Sequence, residues 1–144
     1  MSTITCLRTY RLPDRPSLIW LELETDDGLT GLGETFRGAA SVETCLHEEL
    51  APWLLGRDAR HIEGISRHLL TPYVGYNGSG VEVRSASAID IALWDLAGQR
   101  QGVPVYQALG GGARSSVPVY NTCAGYALSL IHISEPHETR GNLV

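Results

Sequence analysis

The chain carries 11 basic residues, and every one is an arginine; it contains no lysine. No chemistry that needs a lysine base, a Schiff-base lysine or a P-loop lysine can therefore reside in these residues. Carboxylates are the next candidates. Glu34 follows Gly31-x-Gly33 at the end of a β-type run and has the chemistry of a general acid or base. Asp90 and Asp95 are five apart on a helical pattern, about 140° around the axis, so they do not share a site. The five histidines include no H-x-x-x-H pair. His61 and His68 are two turns apart, too far to chelate one ion, and His47-Glu48-Glu49 reads as exposed helix surface. No residue set has metal-ligand spacing. Cys6, Cys45 and Cys123 are odd in number and widely spaced, which reads as buried free thiols in a reducing cytoplasm. Cys123 has no neighbouring histidine or basic cluster to activate it. Gly31-x-Gly33 lacks the third glycine of a dinucleotide turn. Gly110 to Ser116 lacks the lysine of a phosphate loop and reads as a flexible linker.

The elements that position these groups follow from periodicity. Residues Ile4 to Leu12 are rich in β-formers and end at a turn cluster, Pro13-Asp14-Arg15-Pro16. From Ser17 to Glu24 the pattern alternates, with Ile19, Leu21 and Leu23 on one face and Trp20, Glu22 and Glu24 on the other. Asp26-Asp27-Gly28 is a hairpin turn, and Leu29 to Phe36 returns as a third strand. Helices come next. Ser41 is an N-cap candidate for Val42 to Leu50, Pro52 and Gly56 bound a short segment, and Asp58 is a cap candidate for a helix carrying Ile62, Ile65, His68 and Leu69. Tyr73 to Gly80 is a loop holding Tyr73 and Tyr76. The longest helix runs from Val83 to Arg100, with Ala86, Ile89, Leu93, Leu96 and Ala97 as its buried stripe. Val105 to Leu109 forms a short helix, and Val117 to Asn121 reads as a new strand. The fold class is α+β: a three-stranded antiparallel meander followed by a helical bundle.

Composition narrows the function. The 144 residues are 43% hydrophobic and 19% charged, enough to bury a core. A formal charge of −5 argues against a nucleic-acid partner. No apolar run reaches the roughly 18 residues of a membrane span, and Met1 to Thr5 lacks a signal-peptide pattern.

Three stretches, taken in order, carry a family resemblance. They are Thr25-Asp26-Asp27-Gly28-Leu29-Thr30-Gly31-Leu32-Gly33-Glu34, then Ser87 to Gly98 (SAIDIALWDLAG), then Gly102 to Gly111 (GVPVYQALGG). Together they resemble the N-terminal capping domain of the mandelate racemase/muconate lactonizing branch of the enolase superfamily, and most of all its acid-sugar dehydratases. The resemblance covers about residues 3 to 127. It implies a two-domain parent in which the capping domain closes over the C-terminal end of a (β/α) barrel. There a base removes the proton α to a carboxylate and Mg²⁺ stabilises the enediolate. It also implies three segments here: residues 1–112 as the capping domain, 113–127 as linker and first barrel strand of an otherwise missing barrel, and 128–144 as a tail outside the pattern. The fragment is then expected to hold no catalytic residue and no cofactor, the parent being the Mg²⁺-dependent lyase. The expected partner is a small carboxylate or sugar acid, the parent being a cytoplasmic homo-oligomer.

In the family, two capping segments reach the active site. One joins the first two strands, here Pro13 to Ser17 with Arg15; the other follows the third strand, here Thr35-Phe36-Arg37-Gly38-Ala39. Arg37 is the first candidate for a substrate contact, since its planar fork suits a carboxylate; Phe36 and Arg15 accompany it. Asn121 and Thr122, at the end of the first barrel strand, are candidates to bind sugar hydroxyls. The resemblance gives Glu34 a structural role, pairing with an arginine. Residues Leu128 to Pro136 match one reading frame of a transposase sequencing adaptor (CTG TCT CTT ATA CAC ATC TCC GAG CCC), so 128–144 is expected to be translated adaptor. Two alternatives stay open: a racemase, epimerase or cycloisomerase of the same superfamily, or a stand-alone α+β binding or dimerisation module.

Overall fold

The computed structural model describes residues 1–71, 80–112 and 114–119. The chain divides into two units, Met1–Gly112 and Ala113–Val144. The first holds three strands, β1 (Ile4–Leu12), β2 (Arg15–Thr25) and β3 (Thr30–Phe36), in one antiparallel sheet of order β1-β2-β3. Alternation along β2 is as the pattern requires: Ile19, Leu21 and Leu23 are buried, while Trp20, Glu22 and Glu24 stand half-buried on the other face. The β2–β3 turn closes at Gly28, whose φ of 81° favours glycine and whose N–H donates to the Thr25 carbonyl at 3.0 Å.

The β1–β2 connection is tighter than the sequence suggests. Leu12 pairs with Arg15, so only Pro13 and Asp14 form the turn, and Arg15 and Pro16 already belong to β2. The register shifts between Tyr10, which pairs with Trp20, and Leu12, so that residues 16–19 of β2 stand opposite Arg11 alone and the extra length bulges on β2.

A helical run follows β3. It comprises α1 (Ala39–Thr44), a π-helical stretch (Cys45–Leu50) and α2 (Ala51–Leu54). Ser41 lies inside α1 and does not cap it. The capping position belongs to Gly38, in the left-handed region at φ 73°. The wide turn, in which Ala51 N–H reaches back five residues to Leu46, falls directly before Pro52, whose ring lacks a donor and crowds an ordinary helical turn. Asp58 does not cap α3 (Ile62–Leu70) either; His61 occupies that place. The Asp58 carboxylate instead accepts the Arg60 backbone N–H at 3.1 Å and the Arg60 guanidinium at 2.6 Å. Trp53 stacks on His68 at 3.7 Å between ring centroids, with the Arg57 guanidinium also 3.7 Å from the ring centre. Cys45 is buried, which pushes its thiol pKa up, whereas Cys6 is half-buried.

The core lies between the sheet and α4 (Val81–Gln101), with α5 (Val105–Ala108) following. Ala86, Ile89, Leu93, Leu96 and Ala97 are all buried, as the stripe predicts. Glycine fixes how close β3 comes to α4. A Cβ on Gly31 would sit 2.2 Å from the Ala92 carbonyl oxygen, and one on Gly33 would sit 2.0 Å from that of Ala88. The G-x-G pair is a packing device. Asp95 closes the same seam, accepting the Leu32 N–H at 2.8 Å and the Gln99 amide at 3.0 Å.

Of the strand expected over Val117 to Asn121, residues 117–119 carry no strand pairing, and a strand exists only through a partner. Val117 and Val119 are 68% and 90% exposed. Residues 120 and 121 lie outside the described residues, as do the loop residues 72–79 and the tail 128–144.

Candidate functional site

The two segments singled out around Arg15 and Arg37 come together. Leu18 of β2 pairs with Phe36 of β3, and the Arg37 N–H donates to the Ser17 carbonyl at 2.7 Å. One edge of the sheet therefore presents the start of β2 and the bend after β3 side by side. Arg37 has φ 68°, and among the described residues it is the one non-glycine with positive φ. With Gly38 behind it at φ 73°, the chain makes two left-handed steps before α1 begins. The backbone is thereby turned so that Phe36, 62% exposed, and Arg37, also exposed, remain at the surface. Among the described residues the Arg37 guanidinium makes no hydrogen bond or ion pair. Arg15 is exposed on the neighbouring strand. Two guanidinium groups without a carboxylate partner at one edge suit an anionic ligand.

Two shallow recesses flank this edge. One, of about 400 Å³, is lined by Leu18, Glu34, Thr35, Phe36, Val83, Arg84 and Ser87. Glu34 is exposed there and takes part in none of the ion pairs among the described residues, so the expected arginine pairing is not found. Arg84 and Ser87 reach this recess from α4, a contact between distant segments that no local pattern signals. The other recess, of about 440 Å³, is lined by Arg11, Leu12, Pro13, Pro16 and Glu43. Here Arg11 Nη2 lies 2.9 Å from Glu43 Oε2, and the Thr9 hydroxyl donates to Glu43 Oε1 at 2.9 Å. His47 Nε2 is 2.8 Å from the same hydroxyl. Sequence reasoning left His47 as bare helix surface. The signal available was the i, i+4 spacing of Glu43 and His47, which puts them on one helix face.

Asp90 and Asp95 border an apolar cleft of about 480 Å³ with Leu32, Ile91, Trp94, Val105 and Leu109, but each is engaged separately. Asp90 accepts the Ser66 hydroxyl, and Asp95 holds the Leu32 backbone. Among the described residues no group of three or more His, Cys, Asp or Glu side chains is placed to hold a metal ion. No helix among them is long and apolar enough to cross a membrane. Asn121, Thr122 and Cys123 lie outside the described residues.

A sheet of three strands with its helices packed on one face, and two glycines setting their distance, defines a fold that known proteins share. The model of the mandelate racemase / muconate lactonizing enzyme N-terminal domain matches residues 11–110. The chain belongs to this family, within the enolase superfamily. D-galactonate dehydratase of Ralstonia nicotianae is 45% identical over 112 residues, covering 75% of this chain and 28% of that protein. The crystal structure of an enolase protein from environmental sequencing of the Sargasso Sea is 66% identical at a TM-score of 0.81, over 87% of this chain and 34% of the other. An enolase from Pantoea ananatis, with bound D-gluconate and Mg, is 37% identical at a TM-score of 0.71, over 79% of this chain and 28% of the other. The chain thus spans 28% of the length of the curated dehydratases it matches.

Proposed function

We propose that this chain is the capping, substrate-specificity domain of a Mg²⁺-dependent enolase-superfamily dehydratase that acts on a sugar acid. The observation that carries the reading is the bond from Arg37 N–H to the Ser17 carbonyl, which joins the Arg15 and Arg37 segments into one exposed edge. Likeness to the D-galactonate dehydratases and to the gluconate-bound enolase supports the substrate class. In this reading a base on the barrel takes the proton α to the substrate carboxylate, and the β-hydroxyl leaves as water. The capping residues do the binding. Arg37, with Arg15, offers guanidinium donors to the substrate's charged or polar end, and Phe36 excludes water beside it. Residues 113–127 lead into the barrel, where Asn121 and Thr122 bind substrate hydroxyls, and residues 128–144 are translated adaptor. The fragment by itself is inactive, and the whole protein is a cytoplasmic homo-oligomer.

The test begins with the source DNA, amplified without transposase and sequenced across codon 127. The protein encoded by the complete frame is then given a panel of hexonates, headed by D-galactonate and D-gluconate, with Mg²⁺. Formation of the 2-keto-3-deoxy product is expected, and Arg37→Gln is expected to raise KM about tenfold or more. A stop codon following Val144 in the genomic sequence, or racemisation in place of water loss, would overturn the proposal.

A further inference from the structure

The strand β1 continues its helix-facing side beyond the apolar core. Leu7 on that side is buried; Thr9 and Arg11, two and four residues on, extend it towards the hairpin tip. Opposite them stand Glu43 and His47, one helical turn apart. The four side chains match in pairs: Arg11 Nη2 to Glu43 Oε2 at 2.9 Å, Thr9 Oγ1 to Glu43 Oε1 at 2.9 Å, and His47 Nε2 to Thr9 Oγ1 at 2.8 Å.

Proton accounting gives this chain a direction. A threonine hydroxyl has one proton to donate, and an ionised carboxylate only accepts. If the Thr9 proton goes to Glu43, the contact with His47 is a hydrogen bond only when His47 carries a proton on Nε2. The relay is then His47 Nε2–H to Thr9 Oγ1–H to Glu43, whose second oxygen holds Arg11. An isolated exposed ion pair contributes little. A carboxylate that accepts on both oxygens, from two residues of one strand, constrains that strand's position.

The place of this network gives it a role. Glu43 lies on α1, which starts directly after the left-handed steps at Arg37 and Gly38. The second strand of the hairpin is tied to the same bend through Arg37 N–H and the Ser17 carbonyl, 2.7 Å apart. Both strands of the Arg15 hairpin are thus fastened to the segment that carries Arg37, one at each end.

We propose that Glu43 and His47 are positioning residues that clamp the β1–β2 hairpin to the Arg37 bend, and so set the spacing of Arg15 and Arg37 for an anionic sugar-acid substrate. The significance of that spacing rests on the capping-domain reading above; the clamp does not.

Amide hydrogen exchange on the 144-residue chain tests the clamp, because it reports local opening without any substrate. His47 is exposed, so its variants leave the core intact. His47→Leu removes the donor, and His47→Gln keeps an N–H at that reach. His47→Leu and Glu43→Ala are each expected to accelerate exchange at the hairpin tip about tenfold, with Leu21 and Leu23 unchanged. His47→Gln is expected to restore protection to within about twofold of the unsubstituted chain. Unchanged tip exchange in both variants, failure of His47→Gln to restore protection, or equal acceleration at Leu21 and Leu23 would each overturn the clamp. Absence of sugar-acid turnover in the whole protein would defeat the capping-domain reading and leave the exchange result standing.

Discussion

At the residue scale, Arg37 is where residue type and backbone conformation disagree. An L-residue with a Cβ is disfavoured at φ 68° by roughly 1–2 kcal/mol, and glycine occupies such positions freely. The next residue, Gly38, follows that rule at φ 73°. The arginine takes the costlier of two adjacent left-handed steps, and its guanidinium has no hydrogen-bond or ion-pair partner among the described residues to offset that cost. Arg37→Gly keeps the N–H that binds Ser17 and removes only the side chain. Relief of strain then outweighs the added freedom of the unfolded chain. The variant is expected to be as stable as the parent, or more stable by up to about 1 kcal/mol, in urea titrations. A loss greater than about 1 kcal/mol would show that the guanidinium has a structural task. In the sequence Arg37 is a candidate because the family resemblance marks the segment after the third strand and a planar guanidinium there suits a carboxylate. The positive φ and the bond to Ser17 were not legible, since both depend on where the β1–β2 hairpin ends.

At the element scale, the packing of β3 on α4 rests on what is missing. Gly33 brings the strand backbone so near the helix that a Cβ would lie 2.0 Å from the Ala88 oxygen. Backbone cannot rotate away as a side-chain tip can, so the strand and helix must part. Gly33→Ala is expected to cost about 3 kcal/mol in a chemical melt. The internal control is Gly64, in the middle of α3, where an added Cβ meets nothing within 4 Å. Gly64→Ala is expected to stabilise by about 0.8 kcal/mol, the helix propensity difference. Similar effects at both sites would mean that the seam yields. The α4 stripe and the β2 alternation were plain in the sequence, because each buries one face of a periodic element. The helix starts were harder to read. Ser41 and Asp58 are good capping residues by type, yet Gly38 and His61 hold those positions. The Asp58 side chain went to Arg60, and the left-handed steps at Arg37 and Gly38 moved the start of α1 upstream. Residue type suggested the caps; a competing i, i+2 contact at Asp58 and the backbone conformation before α1 decided them.

At the scale of the whole Met1–Gly112 unit, a polar seam gathers its start, its second turn, the residues before α3 and the end of α4. Ser2, 1% exposed, accepts the Ala59 N–H through its carbonyl at 2.8 Å and a guanidinium N–H of Arg100 through its hydroxyl at 2.5 Å. Thr3 N–H donates to Asp26 Oδ1 at 2.7 Å, and Arg100 reaches Asp27 at 3.5 Å. Each acid of this seam titrates below the ordinary carboxylate range, for a reason visible in its partners. Asp26 is lowered by the Thr3 N–H, Asp27 by the Thr25 hydroxyl, and Asp58 by the Arg60 guanidinium. Glu24, on β2, is lowered in the same way by its fork to Arg8. A carboxyl whose pKa is lower in the folded than in the unfolded chain binds fewer protons when folded. Stability from these groups is therefore complete above about pH 4 to 5 and is lost as the pH falls through the folded values. The thermal midpoint is expected to be flat from pH 7 to about 5 and to decline steadily from about 4 to 2. Asp58→Asn should flatten that decline, since the Arg60 guanidinium then gains nothing from an ionised partner. A midpoint that holds or rises on acidification would mean that the seam does not close the fold, and that the core between the sheet and α4 suffices alone.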